Sequence, residues 1–110
     1  MICATRTLTL ATDGGEVAVV VRVDAPYLER DAWACEFEIG WPDAPVRQAA
    51  RGFDSIQALN SALQMIAVYL YASEAHSAGR LRWGKEGGYG FPMPKLGRAD
   101  LVGIDIEMFG

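Results

Sequence analysis

Two residue types in this chain could do nucleophilic or metal chemistry, and their placement argues against both. Cys35 falls on the apolar side of an alternating run that also carries Trp33, Phe37, Ile39 and Trp41. A thiol there is desolvated and protonated, so it reads as a small buried hydrophobe rather than a nucleophile. His76 is the only histidine and sits at the end of a helical stretch, where a cation complements the negative end of the helix dipole. A Cys–His pair must meet in space to act, and these two are expected at opposite ends of the fold. One histidine and two distant cysteines, Cys3 and Cys35, leave no set of zinc ligands. Glu36 and Glu38 share one strand face, as do Asp105 and Glu107, but a cation site would need those strands to be neighbours, and solvated faces are the favoured reading. No catalytic residue, metal ligand or cofactor is assigned, and the chain leans away from being an enzyme.

Binding chemistry is better represented. Arg80, Arg82, Lys85, Lys95 and Arg98 are half of all the basic residues, gathered within 19 positions against one acid, Glu86. Trp83, Tyr89 and Phe91 are interleaved with them. Arg80, Arg82, Lys85, Tyr89, Lys95 and Arg98 thus form a candidate binding rim for an anion, an acidic protein surface or a single strand. Gly87-Gly88-Tyr89-Gly90 lacks the spacing and the following helix of a phosphate loop or dinucleotide fingerprint. The favoured competing reading is that the loop folds back over the sheet, its aromatics fill the core margin, and its bases offset the first half, where acids outnumber bases nine to five through Asp54.

The elements that position these residues follow from hydrophobic period. Residues 5 to 11 alternate threonine with Arg6, Leu8 and Leu10, Asp13-Gly14-Gly15 supplies a turn, and the valine-rich stretch from Glu16 to Asp24 reads as a central strand. Residues 25 to 31 read as a loop, 33 to 41 as the clearest amphipathic strand, and 46 to 51 as a weaker one after Pro42 to Pro45. Asp54 or Ser55 caps a helix expected to run to about His76, with Phe53 as a hydrophobic staple. Ile56, Leu59, Leu63, Ile66 and Leu70 are expected on its buried stripe, widened by Ala58, Ala62, Met65, Tyr69 and Ala72. No charged residue occurs from Ser55 to Ser73. The outer face, Gln57, Ser61, Gln64, Val68 and Tyr71, is therefore a candidate interface, to be covered by a later segment or a second subunit. Leu81 to Trp83 and residues 102 to 108 complete the strands. The result is an α+β fold: an antiparallel sheet of about four to six strands, starting as an N-terminal meander, with one long helix on one face. Phe91 and Met93 are two apart in a proline-bounded extended segment, and are expected to dock together on the helix near Met65 and Tyr69.

The 110 residues are 51% hydrophobic and 22% charged, in keeping with one globular domain over 1–110. A net charge of −4 without a basic stripe makes nucleic acid a poor partner. The first residues carry no basic-then-apolar pattern and the longest apolar run is Met65 to Ala72, so neither a secretory signal nor a membrane span is expected, and a cytoplasmic location is.

Asp54-Ser55-Ile56-Gln57-Ala58-Leu59 and Ala62-Leu63-Gln64-Met65-Ile66 resemble a helix of short bacterial proteins that make up a domain-of-unknown-function family, and Gly90-Phe91-Pro92-Met93-Pro94 resembles their C-terminal signature. The resemblance covers Gly52 to Pro94. It implies a bacterial source and a small stand-alone domain, and some similar short proteins are thought to antagonise toxins, which implies a protein partner. The leading functional expectation is a non-catalytic interaction module, a homodimer or a binder of another protein. The alternative is a small-molecule or anion binder, or an enzyme, that uses loop 84–98 and the adjacent helix.

Overall fold

The structure is a computed structural model that describes residues 1–85 and 87–93. The strand expected over 102–108, with Lys95 and Arg98, lies outside the described residues.

β1 (Ile2–Thr12) and β2 (Gly15–Asp24) form a long antiparallel hairpin closed by the two residues Asp13 and Gly14, and Thr12 pairs with Gly15 across the turn. The positive φ of this connection, +120°, falls on Gly15, which has no Cβ to oppose it. Pro26, which has no N–H to donate, breaks the ladder after β2. The chain then resumes the same path as β3 (Tyr27–Glu29), a short strand where the sequence suggested only loop. β4 (Ala32–Ile39) pairs with β3 at its start and with β2 at its end, and with β5 (Val46–Gly52) along its other edge. β6 (Leu81–Arg82) pairs with β1 at Thr9 and Leu10. The protein is thus an α+β fold with a six-stranded antiparallel sheet and one main helix packed against it.

α1 (Ser55–Tyr71) starts at Asp54, whose carboxylate accepts from the Gln57 N–H at 2.7 Å, while the Gln57 side chain accepts from the Phe53 N–H at 2.6 Å. This satisfies one of the donors the helix start leaves open and holds the Phe53 N–H just ahead of the cap. The expected staple does not form: Phe53 is 91% exposed. Its partner four residues into the helix is Ala58, too small to reach it.

The buried line of α1 also differs from expectation. Ala58, Ala62, Ile66, Ala67 and Leu70 are buried, whereas Ile56 is 77% exposed and Leu59 and Leu63 are half-buried. The cause lies under the helix. A Cβ placed on Gly52 of β5 would come within 2.5 Å of the Ala58 nitrogen, so helix and strand approach to backbone distance, and only methyl-sized side chains fit between them. The helix ends at Tyr71, not near His76. Ser73 donates to the Leu70 carbonyl at 2.7 Å and accepts from the His76 N–H at 3.1 Å, so its hydroxyl closes α1 and caps the short α2 (Glu74–Ser77).

α1 covers β4 and β5. The core face of β1 and β2, carrying Leu8, Val19, Val21 and Val23, is covered instead by residues 89–93, where Tyr89, Phe91 and Met93 join the same buried cluster. Phe91 and Met93 are both buried, as expected, but Phe91 is not placed beside Met65 and Tyr69. Tyr69 packs on Phe37 of β4 with ring centroids 6.1 Å apart, while Phe91 shares a cleft with Leu63, Val21 and Val23 on the other flank of the helix. The segment fills a second half of the cover layer that the single helix is too narrow to reach.

Candidate functional site

Gln57 and Val68 are exposed, and Ser61 and Gln64 half-buried, along the outward side of α1. Ser61, Gln64, Met65, Val68 and Tyr69 line a shallow groove of about 400 Å³. Tyr71, counted with this face from the sequence, turns toward the chain that follows: its ring lies 4.8 Å from His76 and 5.2 Å from Tyr89. The Gln57 side chain is engaged at the helix cap, which leaves Ser61, Gln64 and Val68 as the open centre of the face.

Of the basic residues between 80 and 98, Arg80, Arg82 and Lys85 are among the described ones. Arg80 pairs with Glu74 at 3.3 Å and Arg82 with Glu16. Lys85 is exposed. Tyr89, expected on the rim, is instead 3% exposed. Its hydroxyl is 2.6 Å from His76 Nδ1 and its carbonyl accepts from Arg6 at 3.0 Å. A buried phenol needs a hydrogen-bond partner, and His76, supplied by α2, is that partner. The histidine thus holds the covering segment.

Arg6 was not singled out from the sequence, though a signal existed: its position in β1 alternates with Thr5 and Thr7 and places it on the same face as Leu8 and Leu10. In the fold its guanidinium lies 3.9 Å from the Trp83 ring centroid and 4.9 Å from that of Phe91. Flat cation on aromatic face is a favourable stack. Gly90 makes it possible. It has φ of +77° and sits where a Cβ would press on Trp83 and come within 2.6 Å of Arg6 Nη1.

The space between helix and loop, the expected seat of a small ligand, is a cleft of about 150 Å³ lined by Arg6, Leu63, Phe91 and Pro92 among others. That is about half the low end for small-molecule pockets. Cys35 is fully buried, donates to the Asp24 carbonyl at 3.3 Å, and burial pushes its thiol up to about 11. It lies on β4 while His76 lies on α2 and is bonded to Tyr89. Glu38 pairs with Arg22 at 2.8 Å and Arg47 at 3.7 Å on the outer sheet face. Among the described residues no group of three or more His, Cys, Asp or Glu side chains is arranged to hold a metal ion. No helix among them is long and apolar enough to cross a membrane.

No curated protein and no solved structure matches this chain. A family model described as a domain of unknown function, DUF6968, matches residues 4–93, from β1 through the buried Met93, and the chain belongs to that family.

Proposed function

We propose that the protein is a non-catalytic interaction module that self-associates as a homodimer through the outward face of α1. The observation that carries the reading is the absence of charge over all 17 residues of a helix whose outer side is open to solvent. A solvated outer face ordinarily carries Lys and Glu, whereas this one offers Val68 at 46% exposure beside Ser61, Gln64 and an apolar-walled groove. A face of that kind suits a second copy of itself. Neutral amides and hydroxyls pair across a two-fold axis without placing like charges opposite one another, and an acidic or basic partner gains nothing from it. The edge of β5 is less suited. Arg47 and Arg51 on β5 would face their counterparts across a two-fold strand pairing.

A helix of 17 residues is about 25 Å long, so its face falls short of the roughly 800 Å² per partner of a standard interface. A reversible dimer in the micromolar range is expected. The fully buried Cys35 thiol and the engagement of His76 with Tyr89 support a non-catalytic role, and the free cysteines suit a cytoplasmic setting. An amide NMR dilution series tests the interface. Concentration-dependent shifts centred on Ser61, Gln64 and Val68 are expected, and shifts confined to other elements, or none, would overturn the assignment.

A further inference from the structure

A further cleft lies away from the outward face of α1 and from the segment 89–93, at the end of the sheet where three connections meet. It has a volume of about 600 Å³, within the 300–1,000 Å³ typical of ligand pockets. The β1–β2 turn supplies Asp13, the β4–β5 connection Trp41 and Asp43, and the α1–α2 junction Glu74. Leu10 and Ala75, both buried, form an apolar base. The walls are held firmly. The Ala11 N–H donates to the Arg80 carbonyl and the Arg80 N–H to the Ala75 carbonyl, each at 2.9 Å, which ties β1 to the turn after α2.

The polar groups around the cleft decide the sign of what it takes. Thr12 donates its hydroxyl to the Gly15 carbonyl at 2.6 Å, and Ser73 is engaged with Leu70 and His76, so both hydroxyls are used within the protein. The Arg80 guanidinium is paired with Glu74. Asp13 and Asp43 enter no ion pair among the described residues. Two uncompensated carboxylates thus remain beside a half-buried indole over an apolar base. Indole is the aromatic surface that best attracts a cation, and an anion would meet two like charges.

We propose that this cleft between the β1–β2 turn, the β4–β5 connection and the α1–α2 junction is a ligand site for a compact organic cation, an ammonium or guanidinium on a short apolar chain. The apolar stem lies along Leu10 and Ala75, the charged head is shared by Asp13 and Asp43, and Trp41 closes one wall. The inference does not rest on the dimer.

Isothermal titration of the full chain with 1,5-diaminopentane and with agmatine tests it, with glutarate as the matched anion and 1,5-pentanediol as the neutral control. Saturable 1:1 binding of at least one cation is expected, with no binding of glutarate or the diol. Trp41→Ala should weaken it about tenfold, and Asp13→Asn with Asp43→Asn should weaken it at least as much. The two aspartates are exposed, so that variant keeps the fold even if Trp41→Ala does not. The site is refuted if neither cation saturates, if glutarate binds as well, or if binding survives the double asparagine variant unchanged. Val68→Glu, on the outward face of α1, should leave the titration as it is in the unaltered chain.

Discussion

Gly52→Ala adds one methyl group at the closest approach of helix and sheet. The new Cβ would meet the Ala58 nitrogen at 2.5 Å, the Gln57 carbonyl carbon at 2.9 Å and the Gln57 Cβ at 3.0 Å. Two of these three atoms are backbone, so no side chain can swing aside, and the first turn of α1 must lift by about 1 Å to regain ordinary contact distance. Lifting weakens the packing of α1 on β5, and overpacking of this kind costs about 1–3 kcal/mol. Replacing glycine returns about 0.5 kcal/mol through the unfolded chain. A net loss of about 1.5 kcal/mol follows, or a fall of roughly 6 °C in Tm for 110 residues. Gly14→Ala is the control, because its nearest neighbour is 4.0 Å away and its turn is open. Urea melts of both variants read the difference. If Gly52→Ala matches Gly14→Ala within about 0.5 kcal/mol, the size of an ordinary surface change, the helix is not held at backbone distance and the account of its alanine stripe is wrong.

Phe91→Ala empties the cover over Val21 and Val23 and should cost about 3 kcal/mol in a denaturant melt, the range for truncating a buried phenylalanine; an effect like that of a surface residue would mean the segment is not part of the core. Tyr89→Phe removes the 2.6 Å bond to His76 and should cost about 1–1.5 kcal/mol, with most of that loss absent when His76 is already alanine, as a double-mutant cycle would show. Cys35 has its folded-state pKa raised above the unfolded one, so the stability its neutral thiol contributes is intact below about pH 8.5 and is lost as the pH climbs through about 11. Alkaline melts of the native protein and of Cys35→Ala should therefore differ most below that window and converge above it.

Strands with regular alternation were legible because period two is local: β1, β2 and β4 appear where Leu8, Val19 and Phe37 predicted them, and the weaker strand expected over 46 to 51 appears as β5. The Asp13-Gly14 turn and the Asp54 cap were legible because their chemistry is local. What was hidden depends on partners distant in the chain. The stripe of α1 was read from its large residues, Ile56 and Leu59, but Gly52 brings the helix so close that Ala58 and Ala62 take the buried line. Ser73 ends the helix through a hydroxyl that periodicity ignores. Tyr89 was read as a rim residue because its neighbours are basic, and only the fold shows His76 waiting for its hydroxyl. The cleft around Trp41 is built by three connections that no local pattern links.

Sedimentation velocity across the micromolar range, on the unaltered chain beside Val68→Glu, tests the central claim most directly. A buried carboxylate pair across the two-fold axis would be strongly unfavourable, while Val68 on a monomer is 46% exposed and tolerates the change. The account expects the unaltered chain to shift from one to two chain masses as concentration rises, and Val68→Glu to stay at one with an unchanged circular dichroism spectrum. A strict monomer at every concentration, or a dimer that Val68→Glu leaves intact, would contradict it.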